Sequence, residues 1–260
     1  MKLIVLGCSG SGPGPESPAS GYLLQVDGAS VALDMGNGTF GPLQRHLDPF
    51  ELNALVFSHL HPDHCADFTS LIVHRRYHPF APYDVSSRKV TVHAPIEAPQ
   101  RFAGAYAPSV AERDETDLTD AFTFHVLTDG ATATVGPFAL QARAVDHLCE
   151  AYAVRLEHAG RSIVYSGDTG PCTSLAELAR GADVLLCEAT WPHTGQWDAP
   201  PPGVHLSGRQ AGEVATKAGV GRLLLTHVAA WYDRAAILDE ARQTFDGPVE
   251  LVEPDAAYEI

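Results

Sequence analysis

The sequence predicts an α/β fold in which two mixed β-sheets pack face to face, with helices on their outer sides. Three observations lead to this prediction. Short apolar runs alternate with loops rich in Gly, Pro, Asp and His over the first two-thirds of the chain, the last third alternates helices with strands, and 45% of the residues are hydrophobic against 19% charged. This balance supplies a large core and excludes intrinsic disorder, collagen-like repeats and a coiled coil. At 260 residues, one domain spanning 1–260 is expected.

Strands are predicted where short apolar and β-branched runs end at turn residues. In chain order they cover residues 3–6, 22–26, 31–34, 54–57, 90–93, 122–127, 138–144, 152–157, 162–165, 184–187, 222–226 and 249–252. Helical periodicity predicts helices over 40–46, 68–74, 174–180, 208–218 and 235–245. Ser207 is a suitable N-cap for the fourth helix and Gly219 a suitable C-cap. The Pro-rich pieces 12–18 and 200–202 are predicted to be loops, too short to link domains.

Charge and cysteine content restrict the class of protein. The chain has 17 Lys and Arg against 32 Asp and Glu, a formal net charge of −15, which disfavours binding to a long phosphate backbone. The five Cys contain no CxxC pair, so free thiols in a reducing compartment are expected. The apolar stretch at residues 3–6 is too short for a signal-peptide core, and no apolar run approaches the ~20 residues of a membrane span. A cytoplasmic protein without a membrane partner is therefore expected.

The strongest functional signal is the segment His59-Leu60-His61-Pro62-Asp63-His64, directly after a predicted strand. Three imidazoles and a carboxylate so close together are costly to bury unless they bind something. Side chains at positions i and i+2 of a strand end project the same way, so His59 and His61 are expected to share one ion. Asp63 and His64 fall on the following turn, where they are available to a second ion.

Three further ligand-type residues each follow a strand-like run, namely His147, Asp168 and His227. Loops at the strand ends of a rigid sheet are where metal sites are commonly assembled. Imidazole and carboxylate ligands suit Zn²⁺, Mn²⁺ and Fe²⁺. The sequence therefore predicts a site for two divalent metal ions, with zinc as the first expectation.

The spacing of these residues resembles that of the metallo-β-lactamase-fold hydrolases. The resemblance implies a four-layer αβ/βα sandwich with a binuclear site. It also implies which residues share each ion: His59, His61 and His147 hold one, Asp63, His64 and His227 hold the other, and Asp168 bridges the two.

Two further strings resemble loops of the ribonuclease Z group. They are Cys187-Glu188-Ala189-Thr190, which has Cys where that group has His, and His205-Leu206-Ser207. The resemblance implies catalytic roles: Glu188 orients His205, and His205 protonates the leaving oxygen. Asp63 is expected to orient a hydroxide held between the two metals while it binds its own ion.

Strings outside the metal motifs are similar to those of small actinobacterial cyclic-AMP phosphodiesterases. They include Ser17-Pro18-Ala19-Ser20-Gly21-Tyr22 and Arg75-Arg76-Tyr77-His78-Pro79. The resemblance implies a phosphodiesterase that converts 3′,5′-cyclic AMP, a small-molecule substrate, to 5′-AMP. The alternatives are a ribonuclease Z-like endonuclease that processes transfer-RNA 3′ ends, and a non-catalytic metal-binding regulatory protein. The chain has no long basic arm for RNA, and Trp191, Trp231 and Tyr77 are candidates for stacking on a base. Dimers are common among related enzymes, so a homodimer is allowed, although no sequence stripe indicates one.

Overall fold

The strands form two large mixed sheets and one short ribbon. The computed structural model describes residues 1–193 and 203–260, so the predicted loop at 200–202 lies outside the described residues. The first sheet contains β1 (Lys2–Gly7), β3 (Gly21–Val26), β4 (Ala29–Met35), β5 (Ala54–Val56), β6 (Val90–Ala94), β7 (Phe122–Val126) and β16 (Ala257–Glu259). The second contains β8 (Thr132–Val135), β9 (Phe138–Ala144), β10 (Tyr152–His158), β11 (Arg161–Tyr165), β12 (Val184–Glu188), β13 (Arg222–Thr226) and β15 (Val249–Leu251). The ribbon pairs β2 (Ser9–Gly10) with β14 (Val228–Ala229).

Both sheets contain a parallel part and an antiparallel part. The first has the order β16-β1-β3-β4-β5-β6-β7 and is parallel from β4 to β7. The second has the order β15-β13-β12-β11-β10-β9-β8 and is parallel from β15 to β11. Parallel neighbours end at the same edge of a sheet. Residues that follow β5, β11 and β13 are therefore brought to common edges, and these are the positions of all the predicted ligands except His147, which follows β9.

The helices cover the outer faces of the sheets. They are α1 (Phe40–His46), α2 (Pro62–Cys65), α3 (Phe68–Tyr77), α4 (Ala98–Tyr106), α5 (Val110–Arg113), α6 (Thr173–Leu178), α7 (Gly208–Ala218) and α8 (Arg234–Arg242). One apolar cluster lies between the sheets and includes Val56 and Leu186. A second packs Phe68 and Phe102 against the first sheet, and a third packs Ala215 and Ile237 against the second. This layering confirms the predicted four-layer sandwich.

Local sequence signals set the ends of α7. Ser207 accepts a hydrogen bond from the N–H of Gln210, and the Gln210 side chain accepts one from the N–H of Ser207, which makes a capping box. The helix ends at Gly219, which has φ 64° and so takes the left-handed conformation that glycine adopts without strain. Both predicted caps are confirmed. Within the described part of the chain, no helix is both long enough and apolar enough to traverse a bilayer.

Candidate metal centre

The HxHxDH segment changes direction at its proline. His61 precedes Pro62 and is extended (φ −66°, ψ 148°), as residues before proline usually are. Pro62 then begins α2, where its missing N–H costs no hydrogen bond. The extended part carries His59 and His61, whereas the helical turn carries Asp63 and His64. One short segment thus supplies two neighbouring clusters of ligand atoms.

The first cluster contains three imidazole nitrogens. The Nδ1 atom of His61 lies 3.0 Å from Nε2 of His59 and 3.2 Å from Nε2 of His147. His59 is fully buried, and the other two side chains are partly exposed. Because His147 comes from the loop that joins β9 to β10, the cluster draws on both sheets.

The second cluster combines imidazole with carboxylate. Nε2 of His227 lies 3.1 Å from Nε2 of His64 and 3.2 Å from Oδ2 of Asp63. Asp168 contributes to both clusters, because its Oδ1 lies 3.1 Å from Nε2 of His64 while its Oδ2 lies 3.7 Å from Nε2 of His59. A carboxylate whose oxygens face separate clusters is placed to bridge two ions. The structure therefore brings together all seven predicted ligands.

Asp34 fixes the ring orientation of two of these histidines. This buried carboxylate accepts hydrogen bonds from the N–H and the hydroxyl of Ser58, from Nδ1 of His64 and from the hydroxyl of Tyr165, each at 2.7 Å. Nδ1 of His64 must carry the proton, because a carboxylate only accepts. The Ser58 hydroxyl is committed to Asp34 as a donor, so it accepts from Nδ1 of His59 at 3.1 Å. Both Nε2 atoms therefore present lone pairs to the clusters.

Hydrogen bonds at Nδ1 fix the tautomers of His147 and His227 in the same way. Nδ1 of His147 donates to the carbonyl oxygen of Val204 at 2.8 Å. The Thr190 hydroxyl donates to Oε2 of Glu188 at 2.6 Å, so it accepts from Nδ1 of His227 at 2.7 Å. Nε2 of His147 and Nε2 of His227 therefore also carry lone pairs toward the clusters.

This donor set fits divalent metal ions. Lone pairs only 3.0–3.2 Å apart repel one another unless a cation lies between them. Tetrahedral zinc with bonds of ~2.0–2.1 Å places its ligand atoms about 3.3 Å apart, close to these separations. Oδ1 of Asp168 is buried and finds no hydrogen-bond donor among residues 1–193 and 203–260, as expected of a metal-binding oxygen.

The charges of the site favour cations as well. Burial and the neighbouring His64 hold the pKa of His59 well below its usual range, so this ring is neutral. Burial opposes a proton on His64, but nearby carboxylates, Asp168 first, outweigh it and raise the pKa of His64 well above its usual range. Burial disfavours ionised Asp63 and Asp168, yet the pKa of each is lowered, chiefly by His227. A field that attracts a proton to Nε2 of His64 also attracts a metal ion there.

Glu188 and His205 lie beside the clusters. Oε1 of Glu188 lies 3.1 Å from Nδ1 of His205 and accepts the N–H of Thr169 at 2.6 Å. Oε2 accepts from Thr190 and from the N–H of Leu206. Glu188 also lies near His227, but its oxygens are occupied by these donors, so it is a positioning group and not a ligand. Burial lowers the pKa of His205, but the carboxylate of Glu188 outweighs this and raises it to about 9.

The three aromatic candidates have different surroundings. Trp191 is buried and stands edge-on to His205, with ring centroids 5.0 Å apart. Trp231 follows the His227 loop and is 68% exposed. Tyr77 is the last residue of α3, and its hydroxyl forms a hydrogen bond of 2.7 Å with the hydroxyl of Tyr106. Trp231 therefore combines an exposed side chain with a position four residues after the predicted ligand His227.

Several site residues could not be identified from sequence motifs. Asp34 is a lone carboxylate at the penultimate position of β4, 30 positions before His64, and its local signal is only an acidic residue after a buried apolar run. Ser58 and Tyr165 belong to ordinary strand contexts. Their role becomes visible only when β4, β5 and β11 are placed together.

A sandwich of two mixed sheets with a His/Asp metal site at the strand ends defines a metallo-hydrolase of the metallo-β-lactamase fold. The chain belongs to the beta-lactamase superfamily, because residues 30–228 match the family described as Beta-lactamase superfamily domain.

Relatives match along the whole chain. An uncharacterized protein of Mycobacterium tuberculosis is 45% identical over 262 residues, which cover 100% of this chain and 92% of the relative. Ribonuclease Z of Haloferax volcanii is 27% identical over 314 residues, which cover 100% of this chain and 95% of that protein. The crystal structure of the metallo-beta-lactamase fold protein YhfI from Bacillus subtilis superposes with a TM-score of 0.84 at 23% identity, over 99% of this chain and 98% of that one. One of these relatives is a ribonuclease Z, so the chain is similar to that branch of the fold along its whole length.

Proposed function

We propose that the protein is a metal-dependent phosphodiesterase that hydrolyses 3′,5′-cyclic AMP to 5′-AMP. The observation that carries this proposal is the Glu188–His205 pair, which places an imidazole with a raised pKa beside two clusters of metal ligands. The choice of cyclic AMP rests on the similarity of the strings at 17–22 and 75–79 to those of cyclic-AMP phosphodiesterases.

The side chains have distinct tasks in this reaction. When bound, two divalent ions, zinc first, would activate water and neutralise charge on the phosphoryl oxygens. Asp63 would orient the attacking water, which releases a proton to solvent as its oxygen forms the new bond to phosphorus. The bond from phosphorus to the 3′ oxygen breaks, and His205 gives that oxygen its proton. Glu188 keeps Nδ1 of His205 protonated and directs the other ring nitrogen toward the substrate.

Charge favours a small substrate over a long RNA. The adjacent Arg75 and Arg76 are a candidate basic footprint, but Arg75 is 1% exposed and donates to the carbonyl oxygen of Arg88. Arg76 is paired with Asp120 at 2.7 Å. Neither is a free surface cation, so they give no support for polyanion binding on a chain of net charge −15. A cyclic mononucleotide carries one negative charge, which two bound ions would more than balance.

Processing of transfer-RNA 3′ ends is the second candidate, favoured by the full-length similarity to ribonuclease Z. A non-catalytic metal-binding role is the third. Purified protein loaded with Zn²⁺ or Mn²⁺ should be assayed with cyclic AMP, a precursor transfer RNA and bis-nitrophenyl phosphate. We expect release of 5′-AMP from cyclic AMP. Cleavage of the RNA alone would support the second function, and a metal-loaded protein inactive on all three would support the third.

A further inference from the structure

The glycine-rich turn after β1 packs against the loop that carries His227. The ribbon pairs Ser9 with Val228 and Gly10 with Ala229. A Cβ atom at Gly10 would lie 2.1 Å from the carbonyl oxygen of His227, so only glycine permits this approach. The turn is therefore held against the second metal cluster.

The residue that follows directs its backbone into this cluster. The N–H of Ser11 donates to Nε2 of His227 at 3.4 Å. Ser11 has φ 61°, a left-handed conformation that residues other than glycine seldom adopt and that is often found at ligand sites. Its side chain is exposed, so the group aimed at the cluster is the backbone N–H and not the hydroxyl.

The same lone pair is the ligand for a metal ion. Because Nδ1 of His227 is the protonated nitrogen, Nε2 has one lone pair, which an ion and the Ser11 N–H cannot both use. An N–H dipole that faces a bound cation directly is repelled. The arrangement becomes favourable when an anionic oxygen lies between the donor and the cation.

We propose that the backbone N–H of Ser11 donates a hydrogen bond to a phosphoryl oxygen of the ligand at the second metal cluster. Recognition of phosphate requires only the metal site, whereas a role in catalysis rests on the phosphodiesterase activity proposed above. A donor held in place by the ribbon would stabilise the charge that develops on this oxygen during attack on phosphorus.

Two variants isolate this N–H. The first variant, Ser11→Ala, keeps the N–H. The second carries lactic acid at position 11, introduced by nonsense suppression. It has the same methyl side chain as alanine, but an ester oxygen replaces the N–H. Zinc content and affinity for inorganic phosphate are measured for both zinc-loaded proteins. The ester should bind phosphate about 10- to 100-fold more weakly than the alanine variant with equal zinc, because hydrogen bonds to charged groups contribute this much. In wild-type protein, phosphate should move the Ser11 amide proton resonance downfield.

Each result has a clear reading. Equal phosphate affinity in the two variants overturns the assignment, as does an unmoved Ser11 resonance. Loss of zinc together with phosphate affinity also overturns it, because Ser11 would then support His227 and not the ligand. If wild-type protein hydrolyses no phosphodiester but the ester still weakens phosphate binding, the Ser11 assignment stands and the proposed function fails.

Discussion

Replacing Asp34 with Asn should weaken binding of the ion at the second cluster while the first cluster keeps its three imidazoles. The Asn amide offers one oxygen, which can still accept from the N–H of Ser58 at the Oδ1 position. At the Oδ2 position an NH₂ group would face three donors at 2.7 Å. The hydroxyls of Ser58 and Tyr165 can rotate to accept. The imidazole of His64 can accept only by moving its proton to Nε2, which removes the lone pair that holds the metal.

The expected magnitude follows from this tautomer change. Losing a partner that orients a metal-binding histidine typically lowers metal affinity by about 10- to 100-fold, equivalent to roughly 1.4–2.7 kcal/mol. Zinc titration against a competing chelator should therefore show one tight site and one weakened site per chain. Asp183→Asn is a matched control, because Asp183 also accepts both the N–H and the hydroxyl of a serine, Ser162, at 2.8 and 3.0 Å, but holds no ligand. Two wild-type zinc sites in the Asp34 variant would refute the reasoning.

Four further substitutions test other parts of the structure. His205→Ala should keep both metals and lower kcat on cyclic AMP by about 10²–10⁴-fold, the range for a lost general acid; the control His158→Ala, which breaks a surface ion pair, should change neither metal content nor kcat. In Glu188→Gln, the basic limb of the pH–rate profile should move down from about pH 9, because His205 loses the carboxylate that raises its pKa. An unmoved limb would contradict the pairing of Glu188 with His205. Trp231→Ala should raise KM for cyclic AMP about 10-fold, since stacking on a base contributes about 1–3 kcal/mol, and should spare ribose 3′,5′-cyclic phosphate; equal losses on both would rule out base stacking. Burial, and then the stacked imidazole of His125 on β7, lower the pKa of His93 to about 4. Because the unfolded chain takes up this proton near pH ~6.5, about 3 kcal/mol of folding stability that is present above pH ~6.5 is lost as the pH falls toward 4. His93→Phe should flatten the unfolding free energy across that window, and an unchanged pH dependence would contradict this origin.

Strongly patterned elements were predictable, whereas elements defined by distant partners were not. Helices 40–46 and 208–218 and strands 138–144 and 222–226 have the predicted bounds. Strand β8 was missed because only Val135 is buried in a short run otherwise open to solvent. Strand β16 was missed because Tyr258 is its one buried residue, and its partner Leu3 lies at the opposite end of the sequence. Helices α4 and α5 were missed as well. Local periodicity carries no information about pairing between remote segments.

The same distinction applies to the residues of the candidate site. Ligands concentrated in a short motif, such as His59 and His64, were identifiable because several costly polar groups stood together. Asp168 and His227 could be expected from strand ends and from family resemblance. The network around Asp34 could not, because a single carboxylate acquires its role from donors on three separate parts of the fold: the segment after β5, helix α2 and strand β11.

Because the ligands come from both sheets, a bound ion would act as a cross-link between segments that are far apart in the sequence, such as His61 and His147. Binding of the metal then increases the free energy of unfolding, by about 4 kcal/mol when free metal exceeds the dissociation constant 1,000-fold. The lifetime of the folded chain in a cell would consequently follow the supply of zinc. When zinc is scarce, the protein would lose its proposed activity and would also become more susceptible to proteolysis.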